Sequence, residues 1–136
     1  MERRLIPGHA PLEPVVGYSR AVVAGGHVYV SGTAPIPRDG SPPPEHPYEQ
    51  ARLCLDIVLG ALAEAGAGPE DVVRTRIFLT RREIMDDVGR AHGEVFGEVR
   101  PATSAIVVVG LLDPRWLVEI EADALLPKAQ RGILAR

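Results

Sequence analysis

Few side chains in this sequence are suited to chemistry, and they are scattered. Glu119 stands with Glu121 and Asp123 at alternate positions of the segment Leu117–Leu125. A carboxylate held beside a trapped water can act as a general base. Alternating acids on a strand more ordinarily form a solvated face, here with Arg74 and Arg76 as partners across a sheet. Ser31-Gly32 closes an apolar segment. A glycine there either ends the strand or lets a ligand approach a backbone N–H closely. Arg76, Arg100 and Arg115 can each meet an anionic group, or remain solvated ends and salt-bridge partners. Cys54 is the only cysteine, so an internal disulfide and a multi-thiolate metal site are both excluded. The histidines His9, His27, His46 and His92 show no paired-ligand spacing. Neither a metal nor a cofactor is expected, and His92 reads as a helix-surface or packing residue.

The elements that must position these groups follow from periodicity. After an irregular opening over about residues 1–17, with a possible short strand at Arg3–Ile6, the β-branched runs Arg20–Ala24 and His27–Ser31 read as strands. Gly25-Gly26 between them suits a tight hairpin needing positive φ. The proline-crowded stretch from Gly32 to Pro47 reads as a long surface loop. A helix over Tyr48–Ala65 places Ala51, Cys54, Leu55, Val58, Ala61, Leu62 and Ala65 on one stripe and Gln50 off it. Gly66 and Gly68 stop it.

Val72–Thr80 reads as a strand with Arg74, Arg76 and Phe78 on one face and Val73, Thr75, Ile77 and Leu79 on the other. In the helix that follows, about Ile84–Phe96, Gly89 and Gly93 cost about 1 kcal/mol each in propensity. Close approach to a neighbouring element is the expected compensation. Ser104–Val109, apolar on both faces, reads as a strand covered on both sides. Leu117–Leu125 is the last strand, and a tail over about 127–136 follows.

The chain has 136 residues, 46% of them hydrophobic, enough for one domain with a core. Eighteen acids against fifteen bases, with no basic run, argue against nucleic acid as a partner. No apolar run reaches the roughly 20 residues a membrane helix needs, and the charged N-terminus lacks a signal-peptide core. No membrane partner is expected, and the chain reads as cytoplasmic. Two helices cover only one face of the sheet. An Ile/Val-rich sheet left open on the other face would expose a large apolar patch, and the economical partner is another copy of the chain.

Five local patterns, Gly17-Tyr18-Ser19, Val28-Tyr29-Val30-Ser31-Gly32, Val72-Val73-Arg74-Thr75, Arg100-Pro101-Ala102-Thr103-Ser104 and Leu117-Val118-Glu119-Ile120-Glu121-Ala122, occur in an order that resembles the RidA/YjgF family. The resemblance covers about Gly17 to Leu125. It implies an α+β, chorismate-mutase-like fold of the bacillary type, with a mixed sheet of about six strands, two helices on one face, and a homotrimer with three clefts between subunits. It further implies hydrolysis of imines and enamines to a 2-oxo acid and ammonia, with Glu119 at the water-orienting position. Tyr18, Ser31 and Gly32 then line the cleft, with Arg100 and Trp116 as further candidate contacts for a small-molecule ligand.

The family's carboxylate-gripping arginine falls at the position of Thr103, so the bidentate donor fork is absent. A charge-assisted hydrogen bond is worth roughly 1.5–3 kcal/mol, so an amino-acid-derived imine should bind about 10- to 100-fold more weakly. The chain is therefore expected to belong to a subgroup with reduced or no standard deaminase activity. A non-catalytic binding or regulatory trimer is the alternative, and an endoribonuclease the less favoured reading.

Overall fold

The computed structural model describes residues 3–127, so the expected tail lies outside the described residues apart from Pro127. The strands are β1 (Arg3–Ile6), β2 (Ala21–Ala24), β3 (His27–Thr33), β4 (Val72–Leu79), β5 (Ala102–Val107) and β6 (Val118–Leu125), and the helices are α1 (Pro47–Ala65) and α2 (Met85–Phe96). The strands form one mixed sheet in the order β1-β2-β3-β6-β4-β5. Only β4 and β5 run parallel; every other neighbouring pair is antiparallel.

Local chemistry explains the joints. Gly25 and Gly26 adopt φ of 60° and 78°, the left-handed conformation a two-residue hairpin turn demands. The possible strand at Arg3–Ile6 is β1, paired with β2, and the rest of the opening is less irregular than expected, with a short π-helical turn over Glu13–Gly17. Pro47 opens α1, where a missing N–H costs nothing, and the His46 ring accepts from Tyr48 N at 3.1 Å. Gly66, at φ 93°, ends the helix, with Ala67 N donating to Leu62 O at 2.8 Å.

The apolar stripe of α1 is buried throughout, from Ala51 to Ala65, against alternate residues of β6 (Val118, Ile120, Ala122, Ala124) and β3 (Val28, Val30). Gln50 was expected off that stripe and is instead buried at 1% exposure. Its amide nitrogen donates to Pro44 O and Arg115 O at 2.8 and 2.9 Å, and its Oε1 accepts from Leu117 N at 2.8 Å. Hydrogen-bonding capacity to backbone, invisible to hydropathy, put it there.

Three further expectations are corrected. Val73 does not share a face with Thr75: Val72 pairs with Ala124 and Arg74 with Asp123, so Val73 is the extra residue of a bulge and is exposed. The fifth strand begins at Ala102 and is exposed along its whole length, because within one chain it is the sheet edge rather than a strand covered on both sides. No neighbour among the described residues fills the glycine groove of α2: a Cβ at Gly93 would meet none of them within 4 Å, and one at Gly89 would meet only the Met85 methyl.

Candidate functional site

The site grows out of an irregularity between β3 and β6. Val30 pairs with Ala122 and Thr33 with Ile120, so β3 carries one residue too many over Ser31-Gly32. Such a bulge bends the strand and re-aims its side chains. The Glu119 carboxylate lies over Gly32, where an added Cβ would stand 2.6 Å from Glu119 Oε2 and 3.2 Å from its Cδ. Gly32, read from sequence either as a strand end or as an opening for a ligand, makes room here for the Glu119 side chain. Burial raises the Glu119 pKa, Arg20 opposes the rise, and Glu121 two positions on adds to it. The result is a half-buried carboxylate of increased basicity.

Arg20 is the site's buried cation, and the sequence analysis assigned it no role. Its Nη2 donates to Ser31 O at 2.8 Å, Ser31 Oγ at 2.5 Å and Gly32 O at 2.9 Å, and Ser31 Oγ donates back to Arg20 O at 3.1 Å. Nε is buried without a partner among the described residues. Burial lowers the Arg20 pKa, and Glu13, Tyr18 and Glu119 counteract it. Glu13 is buried too, accepting from Gly8 N and Ala10 N at 2.8 and 3.2 Å. The two-residue hairpin turn held the missed signal: it sets Ala21 opposite Val30, which places Arg20 opposite Ser31.

The remaining candidates divide into two groups. Tyr18 lines an open groove of about 480 Å³ with Tyr29, Ser31, Glu121 and Asp123; Glu119 is not part of its lining, although it shares a face of β6 with Glu121 and Asp123. Thr103 and Arg100 lie elsewhere. Thr103 is exposed on β5, opposite Thr75 in register, with its hydroxyl directed to the helix side. Arg100 is exposed just before β5 at φ 57°. One chain does not bring these two to Glu119. Trp116 is half-buried in the turn before β6, its backbone N–H donating to Asp113 O at 3.0 Å.

Two of the possible replacement cations are committed to other partners. Arg76 pairs with Glu121 at 3.1 Å and Asp123 at 3.4 Å, the cross-sheet pairing expected of the acidic face. Arg115 grips Asp113 through Nη2 at 2.8 Å and Nε at 3.1 Å, holding that carboxyl down to about 2. Cys54 is fully buried, its Sγ 3.9 Å from Val118 O, and burial raises its pKa, so it is no nucleophile at neutral pH. The described residues contain no helix long and apolar enough to cross a membrane.

Comparison with known proteins places this arrangement among relatives. Residues 8–126 match the family model described as Endoribonuclease L-PSP. An uncharacterized protein of Streptomyces coelicolor is 41% identical over 121 residues, covering 89% of this chain and 90% of the relative. The crystal structure of Rv2704 from Mycobacterium tuberculosis, a member of the YjgF/YER057c/UK114 family, is 42% identical with a TM-score of 0.83, covering 92% of this chain and all of that one. TdcF of E. coli, solved with bound serine, is 25% identical with a TM-score of 0.77, covering 91% of this chain and 94% of that one.

Proposed function

The chain belongs to the RidA/YjgF family, and from that premise we propose that it acts as a homotrimer whose clefts between subunits bind a small polar metabolite and hydrolyse an imine, enamine or related electrophile. The observation that carries this reading is the Glu119 carboxylate, half-buried over Gly32 with a raised pKa. A base works best when its pKa approaches the operating pH. Glu119 takes a proton from water as the oxygen attacks the imine carbon. That proton passes to nitrogen to give a carbinolamine; Glu119 then moves the remaining hydroxyl proton to the same nitrogen as the C–N bond breaks, and a carbonyl compound and ammonia leave. TdcF of E. coli was solved with bound serine, which supports a small polar ligand for this chain.

Sharing of the site between chains is supported by the separation of its parts. Thr103 and Arg100 sit at the β5 edge, two strands from Glu119, with the Thr103 hydroxyl on the other side of the sheet, so a cleft using all of them requires residues from two subunits. The exposed apolar residues Ile106, Val107, Val109 and Leu112 offer surface for that contact. Thr103 in place of a cation favours a ligand without the amino-acid carboxylate, and it equally motivates a second reading, a binding or regulatory trimer without turnover. The endoribonuclease description fits less well with a formal charge of −3.

The test is ammonia release from imines generated in situ by a pyridoxal-phosphate dehydratase, comparing wild type, Glu119→Ala and Thr103→Arg. Wild-type turnover lost in Glu119→Ala supports the hydrolase. An inert wild type with activity gained by Thr103→Arg supports an intact cleft turned to another ligand. Turnover undiminished in Glu119→Ala overturns the proposed base.

A further inference from the structure

A chain of three hydrogen bonds runs from α2 through β4 to the open edge of the sheet. His92 Nε2 lies 2.8 Å from Thr75 Oγ1, Thr75 Oγ1 lies 2.8 Å from Thr103 Oγ1, and Thr103 Oγ1 lies 3.1 Å from the Pro101 carbonyl oxygen. Thr75 is fully buried and Thr103 is exposed. The His92 ring packs on Phe96 with centroids 4.8 Å apart, and burial lowers its pKa, favouring the neutral imidazole with a single N–H.

Counting protons orients the whole chain. A carbonyl only accepts, and each hydroxyl carries one proton. The contact with Pro101 O therefore uses the Thr103 proton, so the bond between the threonines uses that of Thr75. Thr75 Oγ1 must then accept from His92, which requires the proton on Nε2. With the proton on Nδ1 the series reverses: Thr75 donates to His92, Thr103 donates to Thr75, Pro101 O loses its donor, and Thr103 presents only lone pairs outward. The imidazole tautomer thus decides whether the sheet edge donates or accepts.

We propose that His92 is a positioning residue, acting through Thr75 to hold the Thr103 hydroxyl as a donor, so that this edge selects a ligand group bearing an acceptor oxygen. The proposal rests on the reading that Thr103 faces the ligand. On binding, the Thr103 proton swings from Pro101 O to the ligand oxygen while the two inner bonds stay in place. A sequence reading of His92 as a packing residue misses this, because Thr75 and Thr103 become neighbours only through the parallel pairing of β4 and β5.

Nitrogen-15 NMR of the full-length protein reads the tautomer: the proposal requires the proton on Nε2, and a proton on Nδ1 overturns it, whatever any variant does. Binding of acetone, a small neutral probe with one acceptor oxygen, is then measured for wild type, His92→Phe, Thr103→Val and the double variant. Each single change should weaken acetone about three- to tenfold, the loss of one hydrogen bond, with the double variant no weaker than either. His92→Gln, which retains an N–H donor, should recover part of the loss. Wild-type affinity in His92→Phe alongside loss in Thr103→Val overturns the role of His92 and leaves Thr103 as a contact. Wild-type affinity in Thr103→Val overturns both.

Discussion

At the scale of single residues, the site turns on a glycine and a carboxylate. Gly32→Ala adds a Cβ where Glu119 Oε2 now lies, so the carboxylate must move. Displacement of about 1 Å can cost on the order of 100-fold in rate, so kcat/KM is expected to fall 10- to 100-fold while the thermal midpoint barely changes. Glu119 also sets the pH dependence. Its folded-state pKa lies above the ordinary carboxylate value, so the folded protein holds this proton more tightly than the unfolded chain. The stabilisation from that proton is full below the ordinary pKa and is lost as pH rises through the raised one. Glu119→Gln should therefore gain stability relative to wild type at pH 8 and lose that gain at pH 4, as thermal melts at the two pH values will read. Glu121→Gln removes a repelling neighbour and should shift the acidic limb of kcat/KM to lower pH.

At the scale of elements, two buried polar side chains join segments far apart in sequence. Arg20 ties β2 to the bulge of β3, and leaving its partners uncompensated costs about 3 kcal/mol or more. Arg20→Ala should lower the thermal midpoint by about 10 °C. Gln50 joins α1 to the proline loop and to the entry of β6. Gln50→Ala strands two carbonyls and one N–H, and urea unfolding should show a loss of about 3 kcal/mol. Hydropathy predicts the apolar stripe of α1 correctly and misplaces Gln50, because burial by hydrogen bonding leaves no periodic trace. The strand Val72–Thr80 is legible in the same way, but the bulge that turns Val73 outward depends on the register with β6.

At the scale of the whole molecule, the β5 edge exposes Ile106 and Val107 with no covering element among the described residues. A charge placed there opposes any contact that buries it, so Ile106→Glu or Val107→Glu should shift sedimentation velocity from the proposed trimer toward monomer. The same variants should lose turnover if the clefts lie between subunits. Unchanged sedimentation would place the subunit contact elsewhere on the chain.

The sequence by itself determined the order of the elements, the apolar stripe of α1, the hairpin at Gly25-Gly26 and the family, since periodicity and local motifs are properties of short segments. It also placed Glu119, Glu121 and Asp123 on one face, because strand alternation has a period of two. Tertiary structure alone decided that Arg20 reaches Ser31 and Gly32, that Glu119 lies over Gly32, and that His92 meets Thr103 through Thr75. Each of these contacts joins residues whose separation is set by register, bulge and strand order, and those depend on how the entire sheet satisfies its backbone at once.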